Sequence, residues 1–213
     1  MPIPTVTVKE SPVARGAQIT PLDTLKQMVR DVHALIECAA KTPNINHKKA
    51  WFGSSADHPE VAAWTGKLFT YIDGGLNKLD FSCANTPGSI ASCAMYTTDR
   101  VTGGKDVPNK LINMQLNNGF RSGLYSYGEK VGTIIHELTH KCIGTNDEQI
   151  ALRDCYGALL CAVMARMRPD LAITNADNWG YYLTAYHTDL GWTGDDWNYL
   201  SEASMQGVGP RIV

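Results

Sequence analysis

Two histidines four residues apart, in the run His136-Glu137-Leu138-Thr139-His140, constrain this chain more than any other feature. Side chains at i and i+4 of an α-helix share one face. On a helix, His136 and His140 therefore offer two imidazoles to one metal ion, and Glu137 stands beside them to polarise water. H-E-x-x-H is the minimal zinc hydrolase centre. Val131, Ile134, Ile135 and Leu138 surround the motif with apolar groups, the pattern of a buried helix with polar groups on one face. Buried imidazoles and carboxylates need partners, and a metal supplies one. The competing reading is a solvent-facing polar stripe of satisfied histidines.

The chain has 213 residues, 44% of them apolar, enough for one large domain with a sizeable core. Its 19 basic and 21 acidic residues leave a net charge of −2, which argues against a nucleic-acid partner. No apolar run reaches membrane-spanning length. The N-terminus carries no hydrophobic signal-peptide core. That leaves a cytoplasmic protein, a removed signal, a signal-free export route or a domain of a longer chain. Cysteines stand at 38, 83, 93, 142, 155 and 161. Three disulfides are permitted, and Cys83 with Cys93, flanking a Pro-Gly turn, is the pair expected to bridge. Without any C-x-x-C, a finger-type zinc site is disfavoured.

Residues 1–21 read as an extended segment, and 22–213 as a single domain. Leu25, Met28, Val29, Val32, Leu35 and Ile36 recur at helical spacing and predict a helix over 22–41. Residues 43–49 read as a polar connection, and 58–77 as a second helix that Gly74-Gly75 weakens. Short strands are expected near 78–83, 92–97 and 110–115, the last offering an edge to an extended peptide. The motif helix should start near Glu129 and stop before Gly144. A further helix is expected from Asp147 to about Met167, ended by Pro169, and another over 176–187.

A zinc hydrolase uses three protein ligands and keeps one position open. Asp147, seven residues past His140 and beyond the Gly144 turn, is the best-placed third ligand. Asp154 and Glu148 are its rivals. The blocks His136-Glu137-Leu138-Thr139-His140, Gly144-Thr145-Asn146-Asp147, Tyr156-Gly157, Asn175-Ala176-Asp177-Asn178 and Trp51-Phe52-Gly53 together resemble the aspzincin (M35) peptidases, the group of deuterolysin and the lysine-specific metalloendopeptidases. Order and spacing match over roughly residues 45 to 187. One departure is the junction between Asp147 and Tyr156, nine residues where the family has fewer. Either an insertion lengthens it or the register differs.

The resemblance implies an α+β, zincin-like fold, a helix-rich catalytic domain with a small β-sheet. It implies Zn2+ held by His136, His140 and Asp147, Glu137 as general base and Tyr156 as a phenol reaching the tetrahedral intermediate. It places Asp177 near the pocket for the side chain after the scissile bond, where a carboxylate favours Lys or Arg. Lysine-specific members look to carry a second acid three residues on, where this chain has Gly180, so broader cleavage is expected. The reading is a zinc endopeptidase acting on protein or peptide substrates, monomeric, secreted or delivered to a target cell, with an inhibitor or immunity protein as a conceivable partner. Its alternatives are a peptidoglycan amidase or peptidase effector and a non-catalytic metal-stabilised binding protein.

Overall fold

The computed structural model describes residues 4–9, 21–73, 78–83, 91–97, 110–116, 120 and 125–197. The apolar stripe read from the sequence folds as α1 (Leu22–Lys41), with Leu25, Met28, Val29, Val32, Leu35 and Ile36 all buried. Each such side chain removed from water contributes about 1.5–3 kcal/mol. The stretch read as a polar connection is instead a short helix, α2 (Ile45–Phe52), whose start Asn44 caps by accepting from the Asn46 N–H at 3.0 Å. Helix α3 (Pro59–Ile72) begins with Pro at its first position, where a missing N–H costs nothing.

Four strands form one sheet: β1 (Thr5–Lys9), β2 (Lys78–Cys83), β3 (Ala91–Thr97) and β4 (Lys110–Leu116). Their order is β1-β2-β4-β3, with β3 antiparallel to β4 and the other pairs parallel. The segment 110–116 is therefore an interior strand, paired on both sides, and β3 holds the edge. That corrects the expectation of an open edge at 110–116. The register also separates Cys83, opposite Leu116, from Cys93, opposite Met114 on the other side of β4. Two strand spacings are about 9–10 Å, beyond the ~7 Å between α-carbons that a disulfide spans. The expected bridge is corrected on backbone grounds, since these two side chains lie outside the described residues. Cys38, Cys155 and Cys161 are free thiols.

Beyond the sheet come α4 (Tyr127–Cys142), a hairpin of β5 (Gln149–Ile150) and β6 (Arg153–Asp154), then α5 (Ala158–Met167), α6 (Pro169–Thr174) and α7 (Ala176–Thr184). Pro169 ends one helix and opens the next. Helix α4 packs against β3, α1, α3 and α7. Val131, Ile134, Ile135 and Leu138 join Trp179, Tyr182, Leu183, Phe81 and Met114 in one core. The motif helix is thus held by apolar contacts around most of its girth, which fixes the direction of its polar face. The fold is α+β and helix-rich. No helix among the described residues is long and apolar enough to cross a membrane.

Candidate metal centre

Helix α4 begins with a capping box: the Glu129 N–H donates to Ser126 Oγ at 3.2 Å, and the Ser126 N–H donates to Glu129 Oε2 at 2.7 Å. Two turns on, His136 and His140 lie one above the other, with Nε2 atoms 3.0 Å apart. Each ring is held from behind. His136 Nδ1–H donates to Asp177 Oδ1 at 2.6 Å, and His140 Nδ1–H donates to the Thr145 carbonyl at 2.8 Å. Neither acceptor has a proton to give, so both Nδ1 atoms donate and both Nε2 atoms are left facing one point.

Gly144, at φ +77°, turns the chain out of α4 in a left-handed conformation that suits glycine. Its N–H and that of Thr145 close onto the Thr139 carbonyl at 3.0 and 3.4 Å. Thr145 Oγ1 donates to the buried Thr139 Oγ1 at 2.8 Å. The Asn146 N–H reaches the Thr174 carbonyl at 2.8 Å, and the Ala176 N–H returns to Asn146 at 2.9 Å. So strapped, the loop brings Asp147 Oδ1 to 3.3 Å from His136 Nε2 and 3.4 Å from His140 Nε2. These three ligand atoms lie within 4.8 Å of one another, a group that could hold a metal ion.

The donor set fits Zn2+, which takes imidazole nitrogen and carboxylate oxygen and leaves a fourth position open in catalytic sites. Electrostatics agree. Burial opposes charge on His136, yet Asp147 and Asp177 outweigh it and raise its pKa to about 10. Burial likewise disfavours the Asp147 carboxylate, but the two imidazoles hold it well below the usual carboxylate range. The centre therefore draws a cation to the point its three donors share. Glu137 is buried beside it, and that burial raises its pKa despite the neighbouring imidazoles.

The two other acids considered for this role are engaged elsewhere. Glu148 Oε1 accepts from Thr174 Oγ1 at 2.8 Å, and Asp154 Oδ1 accepts from Gln149 Nε2 at 2.6 Å. The helix expected from Asp147 begins only at Ala158, and the β5–β6 hairpin fills the interval. The long junction is thus a hairpin whose two ends meet. It returns Tyr156 to the side of Asp147, with its ring 6.2 Å from that of His136. Burial and the Asp147 carboxylate raise the pKa of this phenol.

Asp177 lies behind His136. Its second oxygen accepts from the Gly157 N–H at 2.8 Å, so both oxygens have partners. At position 180 a β-carbon would stand 3.2 Å from the Gly132 carbonyl, because α7 crosses α4 closely there. Sequence reasoning did not foresee the hydrogen bonds of Asn175 and Asn178. Asn175 accepts from the Glu148 N–H at 3.0 Å, and Asn178 Nδ2 donates to the Trp51 and Cys161 carbonyls at 2.6 and 3.0 Å. Their presence in the same short block as Asp177 was the available signal.

The family profile for aspzincin M35, described as lysine-specific metallo-endopeptidase, matches residues 37–184. A zinc peptidase from Grifola frondosa is similar in structure at 23% identity and a TM-score of 0.46, over 76% of this chain and 88% of that one. No curated protein matches the chain. Since the profile covers most of the sequence, from within α1 to the end of α7, this chain belongs to the aspzincin M35 family and is a zinc metalloendopeptidase.

Proposed function

We propose that His136, His140 and Asp147 ligate the zinc, that Glu137 is the general base and that Tyr156 steadies the oxyanion during peptide hydrolysis. One observation carries this reading: both Nδ1 atoms are already donating, so both Nε2 atoms and Asp147 Oδ1 converge on a single point. When bound, zinc supplies Lewis acidity to water and to the scissile carbonyl at this centre. Glu137 takes the proton of the attacking water and passes it to the leaving amine. Tyr156, its pKa raised, keeps its phenolic proton at neutral pH and donates it as a hydrogen bond to the developing oxyanion.

Asp177 we assign to holding His136 rather than to reading the substrate. A Lys or Arg after the scissile bond would have to share a carboxylate already bound to His136 and the Gly157 N–H. The contact of Gly180 with Gly132 leaves little room for a second acid beside it. Both points support cleavage that is not confined to lysine.

The test is zinc-dependent cleavage of a mixed peptide library, with cuts located by mass spectrometry and Glu137→Gln as control. We expect cuts that require zinc, a variant that binds zinc stoichiometrically, and turnover reduced ~10²–10⁴-fold, as is typical when a catalytic proton acceptor is lost. Normal turnover in that variant would remove Glu137 from the mechanism. One zinc bound and no peptide cut by the wild type would favour peptidoglycan hydrolysis or a non-catalytic role.

A further inference from the structure

The β5–β6 hairpin carries a feature that hairpin formation alone does not require. Its two-residue turn is Ala151-Leu152, with φ of +50° and +64°. These are the only non-glycine residues with positive φ among the described residues. Such a turn is ordinarily made by Asn-Gly or Gly-Gly, because a β-carbon is strained in the left-handed region. A leucine there is doubly unfavourable, since its side chain is also 93% exposed. Strain of this kind, held by a rigid surround, clusters at binding sites.

The surround is rigid. Gln149 pairs with Asp154 and Ile150 with Arg153. The Cys155 N–H closes onto the Glu148 carbonyl at 2.8 Å, and Asn175 and Thr174 anchor Glu148. The hairpin also springs from the centre itself, leaving at Asp147 and returning at Tyr156. Four residues of extended chain separate Leu152 from Tyr156, a reach of at most about 14 Å at ~3.4 Å per residue. An extended substrate has the same rise, so this reach corresponds to no more than four substrate residues.

We propose that Leu152, at the hairpin tip, is a specificity residue that receives an apolar side chain of the peptide substrate within four residues of the scissile bond. The inference rests on the metalloendopeptidase reading above. Its occupant is the substrate because the hairpin is continuous with the catalytic centre at both ends. Contact with an apolar side chain would take the leucine out of water.

The experiment compares the zinc-loaded wild type, Leu152→Asn and Leu152→Met on one mixed peptide library. Asparagine adopts the left-handed conformation readily, so the hairpin persists. Zinc content and melting temperature check that it does. In the wild type, cuts should favour an apolar residue at one position within four of the bond. Leu152→Asn should reduce that apolar-over-polar ratio about tenfold, the scale of one lost apolar contact, and Leu152→Met should restore it. Identical profiles for wild type and Leu152→Asn would overturn the proposal while leaving the peptidase intact. Absence of any cleavage by zinc-loaded wild type would remove both.

Discussion

At the scale of single residues, Asp177 links two parts of the centre through one carboxylate. One oxygen holds the ring of His136 and the other holds the backbone just after Tyr156. A carboxylate behind a metal-bound imidazole fixes its tautomer and raises its basicity, and its loss weakens metal binding about 10–100-fold. Asp177→Asn keeps the shape and removes the charge. We expect it to lower zinc affinity by about that factor in a competitive chelator titration, with the fold retained. Unchanged affinity would return Asp177 to a substrate-reading role. The grouping of His136, His140 and Asp147 was legible because their spacing obeys the helix period and a glycine turn. The contact of Asp177 with His136 was not, since it joins two helices through residues 41 apart in the chain.

At the scale of elements, helix packing depends on glycine at a close approach. A β-carbon at Gly53 would fall 1.8 Å from the Ala165 carbonyl, in a backbone conformation with φ +57°. Gly53→Ala combines left-handed strain of about 1–2 kcal/mol with overpacking of about 1–3 kcal/mol. We expect a loss of ~2–5 kcal/mol in urea unfolding. Gly66, inside α3 with open space around it, is the control: Gly66→Ala should gain ~0.5–1 kcal/mol. Equal effects at the two sites would contradict the packing argument. The same elements show what a sequence pattern conveys. Helix α1 and strands β2, β3 and β4 were legible, because continuous apolar periodicity and alternation mark them. The hairpin was not, for Ile150, Ala151 and Leu152 extend the apolar run of a helix and supply no turn residue. Nor was β4's interior position, which depends on pairing between strands distant in sequence.

At the scale of the whole molecule, the metal centre lies where separate parts of the fold are tied together. His136 and His140 belong to α4, Asp147 to the loop strapped against residues 174–176, and Asp177 to α7. A zinc ion bound there favours the folded state alone, because the unfolded chain does not hold these donors together. At a free zinc concentration one hundred times Kd, the gain is about 2.7 kcal/mol. For a chain of this size each kcal/mol moves Tm by about 2–4 °C. Removing zinc should therefore lower Tm by ~5–10 °C in calorimetry, and adding it back should restore the loss. Glu137→Gln should show the full zinc-dependent shift, because Glu137 is not among the three donors grouped at the centre. His136→Ala should show almost none. That pair separates ligand from base without reference to turnover. A wild-type Tm indifferent to zinc at saturating concentration would mean that the three donors do not close on the ion in the folded chain.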